Sequence, residues 1–413
     1  MSNNEYALEK NFVIYLCGKL ITAGASFLSI GLFINLFGEK DYGGYILYFT
    51  SFLICLAGST GWLMQGILRF YSLENNKHRF KQEVDILSVN STIIFSFILA
   101  GILLWSSADF LTIILAIISL YFAVQFSVQS TILQAEIKSL KVIVSDIIRV
   151  VIYVTLPIAT HYFIPSIKPI YCLFSGLLLG FLIATIYLSG FKFPTKFSFK
   201  HKSRWSTIFL KYGLPLSLWM VFAPTTNGVD RYVIEYSLGV VALAEYTALY
   251  DIIFKLFSQM SVPFTRIVQP ILVQNYNLGN IEVYKKTMLK SGLYLLLMFM
   301  IFFLGLFLIK DFIIKDYLGF KLDVYNQLNL IVIPLSISAF FWQVAILLQK
   351  DLENKNKTLM MAVFILITVI LSLIANLLLI PIYGYVASAY VLLCSSVLYL
   401  LLIFLYITKL NRV

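Results

Sequence analysis

Residues 359–379 read LMMAVFILITVILSLIANLLL, a run without a single charged side chain. A helix that crosses the roughly 30 Å hydrocarbon layer of a bilayer needs about 20 such residues. The stretch therefore predicts a transmembrane helix.

The rest of the chain has a similar composition. Of its 413 residues, 60% are hydrophobic and only 12% are charged, and the mean hydropathy is +0.89. A soluble protein carries about 25% charged residues, so a soluble protein is excluded. Apolar runs separated by short polar clusters predict an all-α integral membrane protein with about twelve transmembrane helices, at residues 11–36, 44–70, 86–105, 110–133, 142–163, 169–188, 208–236, 242–273, 287–309, 328–348, 359–379 and 385–407.

Basic residues between these helices predict the direction of insertion. With the N-terminus inside, the inner segments hold eighteen lysines and arginines, whereas the outer loops hold five, namely Lys40, Lys168, Lys310, Lys315 and Lys321. Basic residues are retained on the cytoplasmic side of a membrane. The alternation predicts a multi-pass membrane protein with both termini in the cytoplasm.

The most basic loop divides the chain into two halves. We expect an N-terminal six-helix lobe at 1–190, a basic cytoplasmic linker at 191–207 and a C-terminal six-helix lobe at 208–413. Six crossings return the chain to its starting side, so the two bundles are parallel if they are repeats.

A weak internal repeat joins the first and second helices of each half. Phe37-Gly38, followed by Gly43 and Tyr45, matches Leu238-Gly239, followed by Ala244 and Tyr246, at an offset of 201 residues. Together with the helix count, the repeat favours a two-lobed transporter whose substrate path runs between the lobes.

Ionisable side chains inside the predicted helices are candidates for that path, because charges are costly at membrane depth. The eighth helix carries Asp251, Lys255 and Gln259 at four-residue spacing, with Arg266 on roughly the same side. Such a polar stripe is expected to line the central cavity. We expect Asp251 to pair with Lys255 at i,i+4, which leaves Arg266 as the better free cation.

Five further residues complete the candidate set. Lys19 has no acidic neighbour at helical spacing, so it faces either a wet cavity or, alternatively, snorkels or pairs with another helix. Asp146 and Arg149 can form an i,i+3 ion pair. Asp230 and Arg231 are adjacent and point about 100° apart, so they cannot both face one partner.

Basic groups outnumber acidic ones inside the predicted helices. The basic set is Lys19, Arg69, Arg149, Lys211, Arg231, Lys255, Arg266 and Lys290, and the acidic set is Asp146, Asp230, Glu245 and Asp251. This balance predicts a cationic substrate path through Lys19, Arg149, Arg231, Lys255 and Arg266. Guanidinium and ammonium groups suit phosphate or carboxylate cargo.

Catalytic and cofactor chemistry finds no support in the sequence. His78, His161 and His201 lie in or near loops without metal-ligand spacing, and neither a P-loop nor a Gly-rich dinucleotide motif is found. We therefore expect no enzyme activity, metal, cofactor or nucleic-acid partner. A coupling ion, H⁺ or Na⁺, is left open.

Two motifs resemble a known family. The stretch FGEKDYGGY at 37–45 resembles the LGxxxYGxY segment of bacterial polysaccharide repeat-unit flippases, which belong to the multidrug/oligosaccharidyl-lipid/polysaccharide exporter superfamily. A second match, to the family's DRxxI…LG…LGxY stretch, consists of Asp230, Arg231, Ile234, Leu238, Gly239 and Tyr246. The likeness extends over the whole chain in length and helix number.

This resemblance implies a V-shaped pair of six-helix bundles that flips lipid-linked oligosaccharide by alternating access. The implied cargo is an undecaprenyl-diphosphate-linked repeat unit of O-antigen, capsule or a similar surface polysaccharide. Membrane lipids are further partners, and a polysaccharide polymerase and ligase are implied by the resemblance alone. Only Asp230 and Arg231 are carried over as motif residues.

Two alternatives stay open. A cation-coupled multidrug antiporter shares the fold, but that branch commonly uses a carboxylate in the first helix, where this chain has Lys19 and no acid. A membrane-embedded polysaccharide polymerase or glycosyltransferase would need a large outer loop, and the longest predicted one, about 310–327, is short.

Overall fold

A computed structural model describes residues 3–71, 74–136, 138–191, 193–194, 204–226, 228–355 and 357–410. These residues form helices and connecting turns, with no strand among them. The helices are α1 Asn3–Phe70, α2 Lys77–Trp105, α3 Phe110–Ala135, α4 Ser139–Phe163, α5 Pro169–Ser189, α6 Arg204–Thr226, α7 Val229–Leu238, α8 Val240–Asn277, α9 Ile281–Asp311, a π-helical segment Phe312–Tyr317, α10 Leu322–Asn354, α11 Thr358–Tyr383 and α12 Tyr385–Leu410.

The all-helical membrane fold predicted from the sequence is confirmed. Nine helical stretches of the described chain are long and apolar enough to cross a membrane. The first, Gly24–Phe70, has 47 residues, which at about 1.5 Å per residue is long enough for two crossings. Helices α6 and α8 also coincide with predicted spans.

The first two predicted spans agree with the structure, whereas the seventh is divided. The first two spans are two helical segments of α1 that meet at a kink, where Gly38 leaves the helical conformation with φ 81° and ψ 161°. The seventh span is divided into α6 and α7 near Gly228, which precedes α7 as its N-cap residue. A backbone with positive φ is readily adopted only by glycine, so the bend in α1 was encoded in the sequence.

The chain packs into two compact units. Unit 1 comprises Met1–Ser29 and Gly44–Pro224, and unit 2 comprises Ile30–Gly43 and Thr225–Val413. The units do not follow chain order. Helix α6 belongs almost wholly to unit 1, whereas the segment Ile30–Gly43 of α1 belongs to unit 2. The division into an N-terminal lobe at 1–190 and a C-terminal lobe at 208–413 stays a prediction.

Glycines and aromatic rings explain why α6 packs within unit 1. A Cβ on Gly213 would lie 2.6 Å from the Trp62 carbonyl oxygen, so only glycine permits this approach of α6 to α1. Phe209 of α6 packs on Phe80 with ring centroids 5.7 Å apart, and Trp205 lies 4.9 Å from the same ring. Aromatic contacts of this size bury large apolar areas.

The segment Ile30–Gly43 of α1 packs in unit 2 against the π-helical segment and α8. The Gly31 amide donates to the Tyr317 hydroxyl at 3.2 Å, and the Asn35 amide donates to the Tyr317 carbonyl oxygen at 3.0 Å. A Cβ on Gly43 would lie 2.3 Å from the Val240 carbonyl oxygen. The first turn of α8 therefore packs closely on this segment.

Two basic loops meet at one end of unit 1. The Glu136 carboxylate accepts hydrogen bonds from Lys81 at 2.8 Å, from Lys138 at 2.6 Å and from the Tyr71 hydroxyl. Burial alone would raise the pKa of Glu136, but these hydrogen bonds outweigh it and lower the pKa to about 2. The lysines after α1 and after α3 thus share one end of the unit, as the predicted alternation requires.

Candidate functional site

The polar core of unit 2 is built where α7 meets α8. Gly239 alone separates the two helices, and its φ of 89° and ψ of 173° turn the chain between them. The turn brings Asp230 and Arg231 in the first turn of α7 against α8. On α8, Tyr246 and Tyr250 are one helical turn apart and share a face.

Asp230 is the most deeply buried acid of this core, with 2% of its surface exposed. Its Oδ2 accepts hydrogen bonds from the hydroxyls of Tyr246 and Ser388, each at 2.8 Å. These two hydroxyl oxygens are themselves 3.1 Å apart. The Asp230 Oδ1 has no hydrogen-bond partner among the described residues.

A buried carboxylate that has one oxygen without a hydrogen-bond partner can accept a proton or a small cation. The nearby hydroxyls are neutral donors, so they orient the carboxylate without cancelling its charge. Groups of three or more His, Cys, Asp or Glu side chains suited to a metal ion are absent from the described part of the chain.

The side chain of Arg231 does not share the hydrogen-bond partners of the Asp230 side chain. Its guanidinium donates to Asp251 Oδ1 at 2.8 Å, and both side chains are about 8% exposed. The guanidinium carbon lies 5.3 Å from the centre of the Tyr250 ring, a cation–π distance. Asp230 and Arg231 are both buried, and the hydrogen bonds of their side chains described above go to different partners.

Asp251 has a partner that the sequence analysis did not predict. Asp251 was expected to be neutralised by Lys255 one turn away, and Arg231 to be a cation of the substrate path. The Lys255 side chain lies outside the described residues, so that contact stays a prediction. The charge of Arg231 is balanced by Asp251 in this structure, because α7 folds back on α8.

Unit 1 contains the second pair that the sequence predicts. An Arg149 guanidinium nitrogen is 3.5 Å from Asp146 Oδ1, one turn earlier on α4. The guanidinium also lies 5.2 Å from the ring centre of Phe181 and 5.7 Å from that of Phe126. Arg149 is 27% exposed in its side chain, so it is the more accessible of the two paired arginines.

Three of the five proposed path cations cannot be located by side chain. The side chains of Lys19, Lys255 and Arg266 lie outside the described part of the structure, and so does the side chain of Gln259. Their helices are described: Lys19 is on α1 and the other three are on α8. The polar stripe thus stays a prediction from helical spacing.

Sequence reasoning missed the role of Ser388. It is fully buried in the first turn of α12 and 158 residues from Asp230. The only signal in the sequence is the run of small residues at 387–389, Ala-Ser-Ala, which permits close helix packing. Tyr246 was noted as a motif residue, but its hydrogen bond to Asp230 is a result of the fold.

Comparison with solved structures identifies the fold. The chain is similar to an inward-facing multidrug-resistance transporter of the MATE family in the MOP superfamily, with 14% identity, a TM-score of 0.67 and coverage of 97% of this chain and 99% of that one. It is also similar to the lipid II flippase MurJ in an inward closed conformation, with 15% identity, a TM-score of 0.72 and coverage of 96% and 87%.

A MOP-superfamily transporter from Pyrococcus furiosus is a third relative in structure, with 14% identity, a TM-score of 0.64 and coverage of 98% and 97%. No protein-family model and no curated protein matches the sequence. The chain therefore has the fold of MOP-superfamily transporters, as predicted.

Proposed function

We propose that the protein is a flippase that moves undecaprenyl-diphosphate-linked oligosaccharide from the inner to the outer leaflet of the bacterial cytoplasmic membrane by alternating access. The cargo would be a repeat unit of O-antigen, capsule or a similar surface polysaccharide. The observation that carries the proposal is the surplus of basic over acidic side chains inside the predicted helices, on a fold shared with a lipid II flippase.

The charge surplus remains after the described ion pairs are taken into account. Arg231 is balanced by Asp251 and Arg149 lies beside Asp146. Lys19, Lys255 and Arg266 then make up most of the proposed cationic path, and Arg149 adds a partly exposed guanidinium. Such groups would hold the diphosphate of a lipid-linked sugar, because charge-assisted hydrogen bonds to phosphate are strong.

A multidrug antiporter is the second candidate, and the likeness to MATE transporters supports it equally. The fold does not separate the two functions. A reversed polarity of the binding pocket is taken to suggest a different function for the Pyrococcus transporter. Charge inside the membrane is therefore the better criterion, and Lys19 in the predicted first span 11–36, which holds no acid, favours an anionic cargo.

A deletion strain tests the proposal. Lipid-linked saccharides are extracted, surface polysaccharide is measured and a panel of drugs is applied in parallel. We expect complete lipid-linked repeat units to accumulate while surface polymer is lost and drug sensitivity is unchanged. Unchanged lipid intermediates with increased drug sensitivity would instead support the antiporter, and polymer of altered chain length with normal flipping would support a polymerase.

Localisation and partners follow from the same proposal. Both termini would lie in the cytoplasm, with the basic linker on that side, and a polymerase and a ligase would act on the flipped product. Reporter fusions at residue 10 and residue 409 test the orientation. Alkaline phosphatase activity at either position would contradict it, because that enzyme folds only outside the cytoplasm.

A further inference from the structure

A pocket of about 280 Å³ lies at one end of unit 2, between the end of α8, the start of α9 and the ends of α10 and α12. It combines charged and apolar walls. Lys285, Asp351 and Lys355 are charged, while Met288, Leu348 and Ile407 are apolar. None of the residues proposed for the substrate path lines it.

The polar wall is organised around a single carboxylate. Asp351 accepts a hydrogen bond from the buried Tyr284 hydroxyl at 2.9 Å and forms an ion pair with Lys355 at 2.8 Å. Lys285 is exposed, and no carboxylate lies against it among the described residues. The charged lining therefore holds two cations and one anion, a net charge of +1.

The apolar wall locates the pocket at the edge of the bilayer. Leu289, which lines the pocket one turn after Lys285, is 71% exposed, and Leu293 and Leu297 continue the same exposed face along α9. Exposed leucines of a membrane-spanning helix face lipid chains. Lys285 therefore lies at headgroup depth, at the end of the protein where the sequence predicts the cytoplasm.

We propose that this pocket binds the headgroup of an anionic phospholipid. The phosphodiester, with a charge of −1, matches the net charge of the lining and is held by Lys285 beside Lys355. The glycerol and the first carbons of the acyl chains pack on Met288, Leu289 and Leu348. A zwitterionic lipid would bring an additional ammonium group towards the two lysines, and we expect the pocket to discriminate against it.

Lipid retention by the purified full-length protein tests this assignment. Phosphatidylglycerol and phosphatidylcholine are titrated separately into detergent micelles, and bound lipid is measured by native mass spectrometry. We expect Lys285→Gln to weaken phosphatidylglycerol binding about tenfold, the effect of losing one charge-assisted hydrogen bond. Lys285→Glu should abolish the preference for the anionic lipid.

The matched control is Lys286→Gln, which removes the neighbouring exposed lysine that does not line the pocket. Equal effects of Lys285→Gln and Lys286→Gln would overturn the proposal, as would equal retention of the two lipids by the wild type. Displacement of the lipid by glycerol 3-phosphate would assign the pocket to a soluble phosphate ester instead. The outcome is independent of the transported cargo.

Discussion

Gly38 and Gly239, separated by 201 residues, have nearly the same backbone conformation. Their angles are φ 81°, ψ 161° and φ 89°, ψ 173°. Each is followed seven residues later by a fully buried tyrosine, Tyr45 and Tyr246. The equivalence supports the proposal that the two halves of the chain are repeats, because one glycine-dependent turn joins the first and second helices of each half.

Replacing either glycine by alanine should destabilise the protein by about 1–2 kcal/mol, because a Cβ is strained at positive φ. No atom lies within 4 Å of a Cβ built at Gly38 or Gly239, so the cost is in the backbone and not in packing. Gly44→Ala is the matched control, since its Cβ also meets open space but its backbone is helical. Thermal unfolding in detergent should rank the variants, and Gly38→Ala as stable as Gly44→Ala would refute the argument.

Removing Asp251 should be costly because Arg231 would keep its buried charge. For Asp251→Ala we expect a loss of about 3–5 kcal/mol, typical of a broken buried ion pair. The double variant Arg231→Met/Asp251→Leu should recover most of that loss. Denaturant titration of the single and double variants measures both values. A double variant less stable than Asp251→Ala would show that the charges themselves stabilise unit 2.

The stability of unit 1 should depend on acidic pH through Glu136. Its pKa is depressed from the ordinary 4.5 to about 2 in the folded protein. As the pH falls, the folded state therefore takes up this proton at a lower pH than the unfolded state does. The contribution is complete above pH 4.5 and is lost as the pH falls towards 2. The unfolding temperature of the wild type should therefore fall more steeply than that of Glu136→Gln across this window. Parallel curves would contradict the assignment.

Export should depend on the proposed path cations. We expect Lys19→Ala and Arg266→Ala each to reduce surface polysaccharide at wild-type protein levels, because each removes a charge that would bind the diphosphate. Arg79→Ala, at an exposed position in the first turn of α2, is the control and should leave export unchanged. Immunoblots of membranes check insertion. Normal amounts of surface polysaccharide in both variants would show that Lys19 and Arg266 do not act in the substrate path.

Much of the fold could be predicted because its signals are local. Apolar runs indicate helices wherever the chain must satisfy its own backbone hydrogen bonds in lipid. The i,i+3 spacing of Asp146 and Arg149 likewise predicted their pairing. Gly38 marked the kink between the two helical segments of α1, where the sequence predicts the gap between the first and second helices.

The composition and order of the residues by themselves determined a helical membrane protein, its approximate helix limits and the excess of basic over acidic side chains within the predicted helices. Only the tertiary structure decided that Asp251 pairs with Arg231 and that Ser388 holds Asp230. It also decided that Arg204–Pro224 packs within unit 1. Helix formation depends on neighbours a few residues away, whereas these contacts join residues that become neighbours only after the helices pack.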